Sequence, residues 1–195
     1  QGALPAIDMQ GKILMSNENE ICNAPSGNGE LFRALKQSGA LNVMKEKQIK
    51  WVFYNNIDNA LIKIADPSML GLDKKNDYPI SIKVVDKKYP AEKVGVLCKK
   101  DNRPAVIEYI NLPDDLKHKT DVNGNLLYGL GNISIHLFRL DFIESMSDQI
   151  LPYHRAEKAI KYIGNDGKLV TPSQPNAYKF ERFIFDSFSY CEIIG

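Results

Sequence analysis

The stretch Ala24-Pro25-Ser26-Gly27-Asn28-Gly29-Glu30-Leu31 places two glycines around an asparagine, directly ahead of an apolar-periodic segment. Glycines leave main-chain N–H and C=O groups uncovered, so such a loop can approach a phosphate or a flat ring closely. A helix starting near Leu31 would turn its positive dipole end toward the same space. A plain turn is the alternative reading of the same composition. A second candidate is Asp58, which follows the apolar run Trp51–Tyr54 in the polar string Asn55-Asn56-Ile57-Asp58-Asn59. In open α/β sheets, ligands gather at the carboxyl ends of strands, and that is the position Asp58 takes. A capping or turn aspartate is its bland counterpart.

The familiar catalytic signatures are missing. The sequence contains no GxxxxGK[ST] phosphate loop, no GxSxG elbow, no HExxH pair and no GxGxxG after a strand. His118 lies among charged residues and reads as solvated. His136 sits on the less apolar face of a strand and reads as packing, and His154 is ambiguous between packing and chemistry. Cys22, Cys98 and Cys191 are far apart and without metal-ligand spacing, so they read as free thiols in a reducing cytosol.

These residues need elements to position them. Residues 30–39 read as a helix stopped by Ser38-Gly39, and 40–48 as a second short helix with Leu41 and Met44 inward. Trp51 to Tyr54 is apolar without alternation, which predicts a central strand covered on both faces, as in a parallel sheet. Residues 79–86, 94–100 and 104–111 are β-rich, with a hairpin turn at Asp101-Asn102-Arg103. In 131–140, Ile133, Ile135 and Leu137 alternate with Ser134, His136 and Phe138. A helix is expected around Asp141–Gln149, a turn at 164–167, and alternating aromatics lead into a helix over 178–191. The mixture predicts an α/β or α+β fold, largely parallel with antiparallel additions.

Length and charge set the outer limits. With 195 residues the chain can bury one substantial core. Twenty-five basic residues against twenty-four acidic ones give no support for a nucleic-acid or membrane-surface partner. No apolar run approaches the roughly 20 residues needed to span a bilayer. The start at Gln1, rather than methionine, reads as a piece of a longer or processed protein.

Several separated stretches together resemble the eukaryotic-type UDP-sugar pyrophosphorylases, nearest their UDP-N-acetylglucosamine branch. They are "QGALPAIDMQGKIL" (1–14), "APSGNGELFRAL" (24–35), "FYNNIDNALIKIADPSMLG" (53–71), "KVVDKKYPAEKVGVLCKKDNRPAVIEY" (83–109), "GLGNISIHLF" (129–138) and "QPNAYKFERFIFDSF" (174–188). The resemblance implies a Rossmann-like nucleotidyltransferase sheet that joins UTP to N-acetylglucosamine 1-phosphate, giving UDP-N-acetylglucosamine and pyrophosphate with Mg²⁺. In that chemistry a sugar phosphate oxygen attacks the α-phosphorus while cations neutralise the growing phosphate charge. Carried over by position, Gln1, Gly27, Asn28 and Gly29 belong to the uridine pocket, and Asp58 to the phosphates and metal. Gly95, Glu108, Asn132 and Phe183 belong to the sugar pocket, with Lys179 a catalytic candidate on the "KxExFxFD" stretch.

The loop reads GNGE and a later stretch GLGN, nearer the GNGG and NAGN of the acetylhexosamine enzymes than the GHGD of the glucose enzymes. Glucose 1-phosphate is the alternative substrate, and an inactive UDP-sugar-binding module the alternative role. Two departures stand out: the family's "EYSE" is Glu108-Tyr109-Ile110-Asn111 here, and Glu30 replaces a second glycine. The family's "GGxGTRLG" loop and a later catalytic lysine are also absent. Residues 1–195 are therefore expected to be the central catalytic domain of a cytoplasmic enzyme, inactive alone, with an incomplete sheet and an open strand edge.

Overall fold

A computed structural model describes residues 2–195. In chain order the elements begin with short strands β1 (Ala3–Pro5), β2 (Ile7–Asp8), β3 (Met15–Asn17), β4 (Glu20–Ile21) and β5 (Asn23–Pro25). A 3₁₀ turn at Asn28–Glu30 leads into α1 (Leu31–Gln37), then α2 (Ala40–Glu46), β6 (Trp51–Asn55), α3 (Pro67–Asn76) and β7 (Ile80–Asp86). Next come β8 (Val96–Lys100), β9 (Arg103–Ile107), α4 (Asp114–Lys117), β10 (Leu130–Arg139) and α5 (Leu140–Met146). The chain closes with β11 (His154–Lys158), β12 (Tyr162–Ile163), β13 (Leu169–Val170), β14 (Ala177–Glu181) and a 3₁₀ helix at Ile184–Tyr190. Main-chain proximity divides these into two compact units, one of Gln1–Ala34 with Gln149–Asp186, the other of Leu35–Asp148 with Ser187–Gly195.

The second unit is built on a five-stranded sheet whose axis is β10. Residue 136 of β10 faces Tyr54 of β6 on one side and Ile82 of β7 on the other, and Gly131 meets Val96 of β8. All pairings between these strands are antiparallel, which corrects the expectation of a largely parallel sheet. The reason is an insertion. β6 and β7 both run against β10 and hence in the same direction, as a crossover through α3 would make them. The later strand β10 lies between them and turns both contacts antiparallel. Gly195 does pair in the parallel pattern, donating to Ile80 O and accepting from Ile82 N–H, both at 3.0 Å.

The two-sided burial expected of Trp51–Tyr54 moves to β10. All of β6 is only half-buried, because β10 is its sole strand neighbour among the described residues. In β10 both faces are covered: Ile135 and Leu137 on one side, His136 and Phe138 on the other, each 5% exposed or less. The alternation therefore records side-chain polarity without recording a solvent face.

Local chemistry explains the element ends. Asp66 caps α3 by accepting the Ser68 N–H at 3.1 Å, with Pro67 in the first turn where a missing N–H costs nothing. Asp101 and Asn102 take φ of 51° and 60°, the paired left-handed residues that a two-residue hairpin demands, and join β8 to β9. Gly39 ends α1 at φ 78°. In α1 itself Phe32, 1% exposed, is the buried anchor rather than Leu31 or Leu35.

The first unit brings its two chain segments together through β14, which pairs with β11 and, across about 170 residues, with β2. Ala6, Leu14, Cys22 and Ala177 form its small apolar core. Among the described residues no helix is long and apolar enough to cross a membrane.

Candidate functional site

In the first unit the glycine loop packs on the residues just past β14. Gly29 N–H donates to Arg182 O at 2.8 Å, and Arg182 N–H donates to Ser26 O at 2.9 Å. Asn28 Oδ1 accepts the Ile184 N–H at 2.9 Å, so the asparagine side chain is bonded beside Phe183. A Cβ on Gly27 would lie 2.2 Å from Arg182 O, and one on Gly29 2.7 Å from the Arg182 Cβ. Both glycines are buried. Their bareness is therefore used by the protein's own main chain, which presses the loop against Arg182. Glu30, the residue that stands for a second glycine, pairs with the Arg182 guanidinium. Its carboxylate is engaged internally.

Lys179 lies on β14, and its ammonium donates to Glu181 at 3.0 Å with both side chains mostly covered. Phe183 stacks on Phe185 at 5.0 Å, and the His154 ring lies 5.0 Å from Phe183. His154 Nε2 meets Asp186 Oδ2 at 2.7 Å, and burial pushes the Asp186 carboxyl above its usual range. The structure thus gathers Gly27, Asn28 and Gly29 against residues 182–184, which include Phe183, with Lys179 on β14 three residues before Arg182. Gln1 lies outside the described residues.

In the second unit three sugar-pocket candidates converge where β8, β9 and β10 meet. Asn132 N–H donates to Gly95 O at 2.8 Å. Glu108, immediately after β9, brings Oε1 to 3.3 Å from the place a Gly95 Cβ would occupy. The Asn132 Oδ1 accepts the Ser134 N–H at 3.1 Å, which leaves the two amide donors for another acceptor. Between Asn132 and Ile135 the β10–β7 register slips, and Ser134 takes φ 56°. Bulges of this kind re-aim a side chain at a strand end. Together the trio offers a carboxylate acceptor and amide donors, the groups that hydroxyls and an acetamide need.

Asp58 lies in an exposed turn three residues past β6. The register Asn55–Ile135 puts that turn at the end of the sheet from which Asn132 enters β10. No group of three or more acidic, histidine or cysteine side chains able to hold a metal occurs among the described residues. A lone carboxylate still suits Mg²⁺, which takes one or two carboxylates and completes its shell with phosphates and water.

Sequence reasoning passed over Arg182 and the Asp66–Lys83 pair. Lys83 Nζ lies 2.7 Å from Asp66 Oδ2. That contact, with the Ser68 N–H, lowers the Asp66 carboxyl to about 2. Nothing in the spacing of these residues announces the contacts, since Arg182 and Glu30 are 152 positions apart.

The family described as UTP–glucose-1-phosphate uridylyltransferase matches residues 1–188. The UDP-N-acetylglucosamine pyrophosphorylase of Saccharomyces cerevisiae is 38% identical over 193 residues, which is 96% of this chain and 40% of the yeast protein. UDP-N-acetylhexosamine pyrophosphorylase-like protein 1 of Xenopus tropicalis is 36% identical over 98% of the chain and 38% of its own length. A crystal structure of an Entamoeba histolytica protein assigned as a UDP-N-acetylglucosamine pyrophosphorylase superposes with a TM-score of 0.91 at 40% identity, covering 100% of this chain and 48% of that one. The Trypanosoma brucei uridine diphosphate N-acetylglucosamine pyrophosphorylase, solved with an inhibitor, gives 0.81 at 30% identity over 97% and 37%. The chain thus spans about two fifths of the length of the curated relatives it matches.

Proposed function

This chain belongs to the UTP–glucose-1-phosphate uridylyltransferase family, and from that premise we propose that it is the central part of a cytosolic enzyme making UDP-N-acetylglucosamine. The substrates are UTP and N-acetylglucosamine 1-phosphate, and pyrophosphate leaves. The observation that carries the reading is the Gly95–Glu108–Asn132 convergence, where a carboxylate and an amide stand at one end of the sheet. Glu108 accepts hydrogen bonds from sugar hydroxyls, and Asn132 donates its amide to the acetamide carbonyl. Gly27, Asn28 and Gly29, with Gln1, hold the uridine, and Phe183 and Lys179 border the sugar phosphate.

The reaction needs neutralised charge more than a side-chain nucleophile. Asp58 would hold the Mg²⁺, which would supply positive charge to screen the phosphates as pyrophosphate leaves. In the Rossmann-like arrangement of the whole enzyme, the open edge of β6 pairs with strands from the remainder of the protein. The three free cysteines suit a reducing compartment.

The N-acetylglucosamine reading, rather than glucose, is favoured by the names of the relatives above 30% identity. The test is turnover by the full-length protein with each sugar 1-phosphate in turn. N-acetylglucosamine 1-phosphate gives the higher kcat/KM. Asn132→Ala lowers that value about tenfold or more, the cost of one buried hydrogen bond left unmade, and leaves the KM for UTP unchanged. Equal use of glucose 1-phosphate, or an indifferent Asn132→Ala, refutes the sugar assignment.

A further inference from the structure

Arg182 reaches the glycine loop by three routes and rests on an aromatic ring by a fourth contact. Its N–H donates to Ser26 O, its C=O accepts from Gly29, its guanidinium pairs with Glu30, and its Cζ lies 3.9 Å above the Tyr153 ring. The neighbouring Ile184 N–H closes the contact on Asn28. The Arg182 side chain is 13% exposed and Glu30 24%, so the pair is largely out of water. Arg182 Nε is buried without a hydrogen-bond partner, which leaves Glu30 and the Tyr153 face to balance the covered charge.

We infer that Glu30 and Arg182 form a latch that holds the loop Gly27–Gly29 in its nucleotide-binding shape, and that they act as positioning residues for the nucleotide. This rests on the assignment of the loop to uridine. The physical need for a latch is in the loop itself. Gly27 has φ 85° and Gly29 no side chain, so neither residue restricts its own conformation, and a free loop of this composition samples many shapes. A loop that holds its binding shape only part of the time binds more weakly in proportion to that fraction. The main-chain bonds to Arg182 fix the shape, and the side-chain pair fixes Arg182. A glycine at position 30 supplies no such anchor, so the Gly-to-Glu departure and the buried arginine make sense as one device. The carboxylate is turned to Arg182, so its contribution to ligand binding passes through the loop.

The test uses the full-length protein, with UDP and N-acetylglucosamine 1-phosphate as separate titrants. In Glu30→Gln the Kd for UDP rises about tenfold, as it must if about one loop in ten keeps the binding shape. The Kd for N-acetylglucosamine 1-phosphate and kcat at saturation stay within about twofold. Arg182→Gln behaves the same way, and the double variant is no worse than either single one, because both remove the same contact. Glu30→Asp, which keeps the charge, recovers most of the affinity and guards against a single variant that fails to fold. An unchanged Kd for UDP in Glu30→Gln overturns the latch. So does an equal loss for both titrants, which marks a pair that merely stabilises the unit. A parent protein that binds no UDP overturns the nucleotide assignment and the latch with it.

Discussion

Replacing Gly27 by alanine should unfold the glycine loop from its seat at a cost that can be worked out term by term. Gly27 sits at φ 85°, ψ 179°, a region reserved for glycine, and holding any other residue there costs about 1–3 kcal/mol. The new methyl would also lie 2.2 Å from Arg182 O and 2.9 Å from Arg182 N. Relieving that overlap requires the loop to move back by about an ångström, which breaks the Gly29–Arg182 and Arg182–Ser26 bonds at about 1 kcal/mol each. The expected total is about 3–5 kcal/mol, a large share of the ~5–15 kcal/mol available to an ordinary domain. Gly11 is the built-in control: its φ is 88°, and nothing lies within 4 Å of where its Cβ would be. Gly11→Ala should therefore cost only the conformational part, about 1–2 kcal/mol. Urea unfolding of the two variants, followed by circular dichroism, reads the difference directly. If Gly27→Ala and Gly11→Ala agree within about 0.5 kcal/mol, beyond the usual extrapolation error, the packing against Arg182 is not what requires the glycine.

Two further outcomes concern pH. His136 is fully buried, stacked on Tyr54 at 5.5 Å and met edge-on by Phe188. Burial lowers its pKa to about 4. The unfolded chain, with an ordinary value of ~6.5, therefore takes up the proton first, and stability falls by about 3 kcal/mol as pH drops from 6.5 to 4. His136→Phe removes that slope in urea titrations run across the range; a slope that persists refutes the assignment. Asp66 has the same sign in a lower window. Its carboxyl is lowered to about 2 by Lys83 first and the Ser68 N–H second, so its contribution is complete above the ordinary carboxylate range and fades as pH falls toward 2. Lys83→Met should raise the Asp66 midpoint in a carboxyl NMR titration, and an unmoved midpoint would assign the shift to the helix cap instead.

What the sequence made legible was mostly local. The stop at Gly39, the Asp101-Asn102 hairpin and the inward Leu41 follow from single residues whose backbone or burial preferences leave little choice. α3 went unread, although Asp66-Pro67-Ser68 carries its cap and its first turn in plain chemistry. The placement of β10 between β6 and β7 could not be read at all, because both strands kept the direction a crossover gives and only a pairing across more than 80 residues separates them. The candidate site divides in the same way. Gly95, Glu108 and Asn132 are candidates by position in a resemblance, and the structure sets them close to one another. Arg182 escaped notice because its role lies in contacts to residues 26–30, far away in sequence and identical in composition to any surface arginine.

The pairing of β14 with β2 has a consequence in time. The segment carrying the glycine loop leaves the ribosome ahead of its partners at 177–184, which follow about 150 residues later. At ~5–20 residues per second, that is a wait of roughly 7–30 s. Throughout it, β6 and β7 can acquire β10, while the segment before Ala34 remains without its strand neighbour and the second unit still awaits Ser187–Gly195. The glycine loop is thus made well before it can take its seat, and its shape is conferred by an arginine that arrives about 150 residues later.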